Sequence, residues 1–516
     1  MNKVLIQVNM KKTTYLIITF LTFITYTSVS QPSFIKDSLD KYINEGIKDW
    51  SIPGLAITIV HDGNIVTMKG YGVKDLETKE PVDANTLFII ASNSKLFTGT
   101  ALAQLDYHKK LSLDDKIIKY FPDYKLYDAN ATNLVTIKDM LGHHLGTKTF
   151  QGDFTFWNSA LSRNEVMKKM RYLKPSNGFR ASYGYCNSCF LTAGEVIPKV
   201  TGKPWEVYVY DSLVMPLQMN NTQTLTYGMQ QMQNIAYPYT NSFAGELTQI
   251  PFDKIDNMAP ATSMVSCVND LSHWLLMQLD SGRYNGKQIL PWQVIQKTRD
   301  MITPISSRKK GSTHFNGYGL GVFMSDYQGK QIFNHTGGAD GFVTNTCFVP
   351  ELNLGISILT NNDNQNFFEL LRLQILDAYL DVPYANRSKQ RLSAYLKDNQ
   401  DQQEEINNWK ARIKNNKPKL PLSAYTGTYD NQLYGTLNIV QEGDVLIAKF
   451  NSHRNLTATL QYMDNNEWMI TYNPIMYGIF STKFTIDNNK VKSLEIKVSD
   501  FIEYDPYTFT KRDKPE

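Results

Sequence analysis

The sequence contains little cysteine, and its cysteines do not form a recognisable site. The four cysteines, Cys186, Cys189, Cys267 and Cys347, are too few for a disulfide framework in a chain of 516 residues. The single C-x-x-C pair has no second pair that would complete the four ligands of a structural zinc site. We therefore interpret Cys186 and Cys189 as packing residues and expect neither a metal nor a cofactor. Whether any of the four forms a disulfide stays open at this point.

Excess charge of one sign is also absent. The formal net charge is only +4, and no basic stripe accompanies it, which argues against nucleic acid as the main partner. The short run Arg308-Lys309-Lys310 is typical of a solvated loop. The sequence lacks the Gly-x-Ser-x-Gly turn of α/β-hydrolases and any phosphate-binding glycine-rich loop. The pair His143-His144, predicted on a helix, lacks the spacing that helical metal sites favour.

Residues 1–30 have the features of a signal peptide. Lys11-Lys12 supply positive charge, and the apolar run over 15–26 is too short for a membrane span. Ser28-Val29-Ser30 offer small residues for cleavage, which would make Gln31 the mature N-terminus. We expect a periplasmic or secreted protein. An uncleaved anchor is the alternative, and only that segment would then contact a membrane.

The hydrophobic pattern divides the rest of the chain into two folded units. Residues 31–385 have strands at both ends and helices between them, which predicts one α/β domain, an α+β sandwich with a helical insertion. Its antiparallel sheet would combine strands from both ends. Residues 386–420 are polar and are predicted to be a partly helical linker. Residues 421–516 show short alternating strands, which predict a small all-β, barrel-like domain.

One serine carries a pattern associated with nucleophilic catalysis. The pattern Ser-x-x-Lys occurs at Ser33, Ser38, Ser92, Ser306 and Ser307. Only Ser92 follows an apolar run and opens an apolar helix, where Lys95 lies one turn on, on the same face. A serine hydroxyl needs such a base, and the lysine needs burial to lower its pKa. The alternative role for Ser92 is a helix N-cap.

Two further elements lie downstream. Tyr185-Cys186-Asn187 offers a phenol that can relay a proton and an amide that can bridge a lysine and a substrate. His335-Thr336-Gly337 follows on or just after a predicted strand, where side chains and strand-edge amides would line a cleft. Gly338 comes directly after it.

In this order and at these separations, the three elements resemble the penicillin-recognising serine hydrolases, specifically the class C β-lactamase and D-amino-acid peptidase branch. Further similar segments lie at 54–57, 88–95, 136–143, 194–195 and 318–321. The resemblance covers about residues 35–380 and implies a β-lactamase/transpeptidase-like fold. Residues 425–429 are similar to part of the lipocalin-like β domain attached to some members.

The resemblance also implies roles for individual residues. Ser92 would be the nucleophile, Lys95 its activating partner and Tyr185 a general base or proton relay. Asn187 would orient the substrate and Lys95.

In the same way, His335-Thr336-Gly337 would bind substrate, with His335 where β-lactamases usually have lysine. The backbone N–H groups of Ser92 and Gly338 would form the oxyanion hole. Because a free histidine has a pKa near 6.5, we expect His335 to gain charge between pH 8 and pH 6.

The functional hypothesis is an exported serine hydrolase that forms an acyl-enzyme on Ser92. Its substrates would be D-amino-acid peptides or small acyl compounds, with cell-wall fragments among the candidates. A true β-lactamase and a non-catalytic penicillin-binding sensor are the alternatives. Because every motif precedes the linker, we expect residues 31–385 to react without the C-terminal domain.

Overall fold

The computed structural model describes residues 31–414 and 416–513. The signal peptide expected over 1–30 lies outside the described residues. Within those ranges, no helix is both long enough and apolar enough to cross a bilayer.

The structure confirms the predicted α/β domain, which is built around one eight-stranded antiparallel sheet. The strands of this domain are β1 (Gly54–His61), β2 (Asn64–Gly72), β3 (Phe88–Ile89), β4 (Tyr239–Thr240), β5 (Thr248–Gln249), β6 (Val265–Ser266), β7 (Arg283–Tyr284), β8 (Lys287–Gln288), β9 (Thr303–Ser306), β10 (Asn316–Tyr318), β11 (Phe323–Tyr327), β12 (Lys330–Ala339), β13 (Phe342–Val349) and β14 (Leu354–Thr360). The large sheet has the order β2-β1-β14-β13-β12-β11-β10-β9. Strands from the two ends of the domain therefore meet at the β1–β14 pair, as predicted.

Helices cover both faces of this sheet. They are α1 (Leu39–Asp49), α2 (Ser94–Tyr107), α3 (Ala129–Leu134), α4 (Ile137–Leu141), α5 (Arg163–Lys169), α6 (Asn187–Gly194), α7 (Val196–Thr201), α8 (Trp205–Val209), α9 (Ala259–Thr262), α10 (Val268–Leu279), α11 (Trp292–Thr298), α12 (Phe367–Tyr379) and α13 (Arg387–Arg412). In β1, Leu55 and Ile57 pack with α1 and α12, whereas Ala56 and Val60 belong to the core that contains α10. Alternate side chains of a strand point to opposite faces, so a strand covered on both faces is apolar throughout.

The region predicted as a linker, residues 386–420, contains the 26-residue helix α13. Its Tyr395 ring stacks on Trp50 with ring centroids 4.6 Å apart. Further along the helix, Ile406 is buried in a cluster with Phe243 and Met469, the latter from the C-terminal domain. The helix thus packs against both folded units.

The C-terminal domain is a closed barrel of eight antiparallel strands. They are β15 (Gly427–Asn431), β16 (Gly435–Glu442), β17 (Val445–Phe450), β18 (Thr457–Tyr462), β19 (Glu467–Asn473), β20 (Ile479–Asp487), β21 (Lys490–Ile496) and β22 (Tyr507–Lys511). Pairing of β15 with β22 closes the ring, which removes the exposed strand edges of an open sheet. The predicted all-β C-terminal domain is confirmed.

A side chain of the N-terminal domain is buried among aromatic residues of this barrel. Phe154 is fully buried, and its ring stacks on His453 at 4.4 Å and on Tyr507 at 5.6 Å. The ring of Phe450 meets it edge-on at 5.6 Å. Aromatic burial of this extent contributes several kcal/mol, of the order lost on truncating a core Phe to Ala. The turn that carries Phe154 is therefore anchored in the barrel.

Candidate active site

Ser92 lies in a short 3-10 turn, Ala91–Asn93, that leads into α2. The residue before it, Ala91, has a φ of 47°, a left-handed conformation that is strained for a residue with a side chain. Asn93 occupies the N-cap position of α2 without a side-chain cap bond. The Ser92 hydroxyl accepts a hydrogen bond from Lys95 Nζ at 3.1 Å. The serine is therefore aimed at the lysine and does not cap the helix.

Lys95 is fully buried and reaches three acceptors. Its Nζ donates to Ser92 Oγ, to Asn187 Oδ1 at 2.6 Å and to the Ala261 carbonyl at 2.9 Å. Burial lowers the pKa of Lys95 to about 7. A lysine with that pKa is about half neutral at pH 7 and can accept the proton of a nearby hydroxyl.

Tyr185 lies beside both groups. Its ring is 4.7 Å from Lys95 Nζ, and its hydroxyl shares a hydrogen bond with the Ser92 side chain. Burial raises the pKa of Tyr185 well above its usual value, so the phenol keeps its proton at neutral pH. Of the two roles expected for Tyr185, a protonated phenol suits the proton relay better than the general base.

Asn187 connects the lysine to a residue that the sequence did not single out. Its Nδ2 donates to Asp153 Oδ2 at 2.6 Å while its Oδ1 accepts from Lys95. Burial raises the pKa of Asp153 well above its usual range, so the acid form is favoured. Asp153 thereby fixes the direction of the Asn187 amide instead of acting as a counter-ion. No local motif surrounds Asp153, so only the fold identifies it.

His143 was also missed, and its predicted place on a helix is wrong. α4 ends at Leu141, and His143 has a φ of 55°. Its Nδ1 accepts the backbone N–H of Cys186 at 3.0 Å, and its ring lies 4.3 Å from that of Tyr185. Burial lowers the pKa of His143 well below its ordinary value. A neutral imidazole therefore holds the Tyr185-Cys186-Asn187 segment against the site.

The expectation that His335 titrates between pH 8 and pH 6 is overturned. The side chain is buried, and burial together with the Lys95 charge lowers the pKa of His335 to about 3. Its Nδ1 lies 2.8 Å from the Thr336 carbonyl, which can only accept, so Nδ1 carries the proton. Nε2 then accepts from the Tyr318 hydroxyl at 2.9 Å. His335 is a neutral residue throughout the physiological range.

The rest of the third element forms an open strand edge. Pairing of β11 with β12 ends at Asn334, whereas β13 pairs with β12 as far as Ala339. Residues 335–339 therefore have one edge free, and Thr336 and Gly338 line the pocket there. A Cβ on Gly337 would lie 2.0 Å from the Ile90 carbonyl oxygen. Only glycine lets this strand approach the segment that precedes Ser92.

These groups surround a pocket of about 530 Å³. It is lined by Ser92, Thr149, Phe150, Asp153, Trp157, Tyr183, Tyr185, Asn187, Ile305, Phe323, His335, Thr336, Gly338, Val343, Asp363, Gln365, Asn366, Phe368, Asp500, Phe501, Ile502 and Tyr504. Every residue in the predicted site is thus close to Ser92, with Lys95 buried behind it and Gly337 inside the strand.

One wall of the pocket comes from the barrel, although every motif of the site precedes the linker. The segment between β21 and β22 contributes Asp500, Phe501, Ile502 and Tyr504. A Cβ on Gly338 would meet the ring of Phe501 at 3.0 Å. Removal of the C-terminal domain would open the pocket on this side, so we no longer expect residues 31–385 to react normally alone.

The beta-lactamase family profile matches residues 39–380. The chain belongs to the beta-lactamase family. Proteins of this family are generally serine hydrolases, and the geometry around Ser92 agrees with that chemistry. A second profile, a domain of unknown function designated DUF3471, matches residues 411–511, which include the barrel.

Relatives and a solved structure extend the comparison. "Protein flp" of Staphylococcus aureus (strain N315) is 27% identical over 355 residues, 66% of this chain and 67% of that protein. "Unguisins hydrolase ungD'" of Aspergillus campestris is 25% identical over 501 residues, 87% and 85% of the two chains. The octameric penicillin-binding protein homologue from Pyrococcus abyssi has a TM-score of 0.60 and 20% identity, covering 92% of this chain and 99% of its own. That likeness concerns the fold alone.

Proposed function

We propose that this beta-lactamase family member is a serine hydrolase that forms an acyl-enzyme on Ser92 and cleaves esters or amides without a carboxylate beside the scissile bond. Amides of D-amino acids, internal bonds of longer D-amino-acid peptides and small acyl compounds fit this description, whereas a bond to a C-terminal residue does not, because that residue carries a carboxylate. A penicillin, which carries a carboxylate next to its reactive amide, fits it less well.

The observation that carries this proposal is the charge of the pocket wall. Among the described residues that line the pocket, none is lysine or arginine, and three are acidic, Asp153, Asp363 and Asp500. Burial raises the pKa of Asp153 well above its usual range and that of Asp363 to about 6. His335, at the position where β-lactamases usually have a cation, is neutral because burial holds its pKa near 3. A cation at this position would contribute about 1.5–3 kcal/mol through a charged hydrogen bond, whereas the His335 ring has its Nδ1–H on the Thr336 carbonyl and its Nε2 on the Tyr318 hydroxyl. A substrate carboxylate would therefore gain little here.

In the proposed acylation, neutral Lys95 accepts the proton of Ser92 as Oγ attacks the carbonyl carbon. The tetrahedral oxyanion is held by the backbone N–H groups of Ser92 and Gly338. The C–O or C–N bond then breaks, and the leaving group takes a proton relayed through the Tyr185 phenol. Hydrolysis repeats the sequence with water as the attacking group, which returns Ser92 to its free form.

The test compares one penicillin with its own methyl ester, since the pair differs only in the carboxylate. We expect kcat/KM for the methyl ester to equal or exceed that for the free acid at pH 8. A neutral nitrophenyl ester and a D-amino-acid anilide should also be turned over. Ser92→Ala should abolish all of these activities.

The alternatives give different results. A true β-lactamase should prefer the free acid by about 30-fold, the equivalent of about 2 kcal/mol. A non-catalytic sensor should be labelled on Ser92 by a fluorophosphonate but should turn over none of the substrates. A wild-type protein that is not labelled on Ser92 at all would refute the proposed mechanism.

A further inference from the structure

The segment between β21 and β22 contributes more than a pocket wall. Glu503 points away from the pocket and is almost completely buried, with 1% of its surface exposed. Its Oε1 accepts the backbone N–H of Gly152 at 2.8 Å, and its Oε2 accepts that of Phe154 at 3.2 Å. The Tyr434 hydroxyl donates to Oε1 as well. One carboxylate of the barrel thus holds two amides of a turn in the N-terminal domain.

The barrel holds this turn at other atoms too. His453 Nε2 lies 2.7 Å from the Phe154 carbonyl oxygen, and a ring nitrogen can only donate to a carbonyl. The Phe154 ring is buried among aromatic residues of the barrel, as described above. The backbone on both sides of Asp153 is therefore fixed by the C-terminal domain.

The residue between the two held amides is Asp153, which begins the path to the nucleophile. Asp153 Oδ2 accepts from Asn187 Nδ2 at 2.6 Å, and Asn187 Oδ1 accepts from Lys95 Nζ at 2.6 Å. Lys95 in turn donates to Ser92 at 3.1 Å. Every link is a buried hydrogen bond, so little water is available to replace a contact that is lost. A displacement of the turn should therefore also displace Asn187 and Lys95.

We propose that Glu503 is a positioning residue for Lys95, acting through the 152–154 turn, Asp153 and Asn187. The inference rests on the proposed function and assigns a role to the C-terminal domain, which supplies the carboxylate that orients the base. Loss of this carboxylate should reduce the rate of the chemical step and leave substrate binding largely intact, because Glu503 does not line the pocket.

The test measures Ser92 labelling by a neutral fluorophosphonate in the full-length protein, separating the maximal labelling rate from the half-saturating probe concentration. Glu503→Gln keeps the shape of the side chain but leaves one amide without an acceptor. We expect a 10- to 100-fold lower maximal rate with half-saturation changed by less than twofold. A role in stability alone would lower the melting temperature or the active fraction without changing the maximal rate of the folded molecules.

Two variants serve as matched controls. Tyr434→Phe removes the phenol that touches Glu503 but leaves both amide contacts. Asp505→Asn lies two residues further along the same segment and removes an ion pair with Lys148, whose 2.8 Å contact joins half-exposed side chains. It also removes a negative charge that raises the pKa of Glu503, which favours the carboxylate form of Glu503 and leaves both amide contacts in place. Both should label at the wild-type rate.

Asp153→Ala provides an independent test, because it cuts the path while Glu503 stays in place. It should lower the maximal rate as Glu503→Gln does, and only the maximal rate is compared, because Asp153 lines the pocket and its loss can also change half-saturation. Wild-type maximal rates in folded Glu503→Gln, or in Asp153→Ala, would overturn the inference while leaving the proposed function intact. Absence of labelling in the wild-type protein would instead refute the proposed function.

Discussion

The pKa of Lys95 can be moved deliberately, because Asn187 contacts its amine at 2.6 Å. Asn187→Asp keeps the size of the side chain and places a carboxylate on the ammonium group. An opposite charge at this distance raises the pKa of a lysine by roughly 1 to 3 units. The contact with Asp153 can survive, since burial favours the protonated form of Asp153, which could donate to the new carboxylate.

The magnitude follows from the fraction of neutral lysine. With a pKa of about 7, the wild-type labelling rate should plateau above pH 8 and fall about tenfold per pH unit below pH 6. In Asn187→Asp the midpoint of this pH-dependent fall in rate (the acid limb of the pH–rate profile) should move from about pH 7 to between about pH 8 and pH 10. The rate at pH 7 should then drop about 5- to 500-fold and recover as the pH rises.

The assay is the rate of Ser92 labelling by a neutral fluorophosphonate between pH 5 and pH 10. Tyr185 should add no second limb at neutral pH, because burial raises its pKa well above its usual value. Asn269→Asp makes the same chemical change outside the pocket, at the start of α10, and should leave the limb near pH 7. Two results would refute neutral Lys95 as the base. One is a wild-type labelling rate that rises up to pH 10 without a plateau, and the other is an Asn187→Asp profile whose acid limb stays near pH 7.

Two further predictions concern substrate charge and export. With a pKa of about 3 for His335, His335→Lys should raise the ratio of kcat/KM for a penicillin over its methyl ester by up to about 30-fold at pH 8. Burial raises the pKa of Asp363 in the same pocket to about 6, so the ratio should be constant from pH 8 to pH 6 in Asp363→Asn, and a ratio that still rises there as the pH falls would mean that His335 titrates after all. We also propose that the protein is exported and cleaved before Gln31. Mass spectrometry of the protein recovered from the periplasm or medium should identify Gln31 as the N-terminus, and a chain that retains residues 15–26 would favour an anchored form instead.

The fold was largely predictable because its signals are local. The buried strand β1 and the turn after it are visible as an apolar run followed by His61-Asp62-Gly63. The same holds for Ser92 and Lys95. Their spacing of three residues places both side chains on one face of a helix, independently of the rest of the fold. The closing pair of the barrel was not predicted, because β15 and β22 are five residues each and β15 has a single fully buried position.

The support around the nucleophile could not be predicted, because it depends on contacts between distant segments. Asp153 and Glu503 are ordinary acidic residues in sequence and become important only where the turn meets the barrel. The charge of His335 was wrong for a related reason. Its pKa depends on burial and on the nearby Lys95, and neither can be read from residues 335–337.

The pairing of β1 with β14 has a consequence for the newly made chain. Gly54 N–H donates to Asn361 Oδ1 across 307 positions, so the sheet that supports Ser92 cannot close until most of the protein has been synthesised. At about 5–20 residues per second, that delay is roughly 15 to 60 s. During this time the nascent chain holds an incomplete N-terminal domain with its apolar strands exposed. Chaperones that bind extended apolar segments should therefore meet this chain before any substrate can.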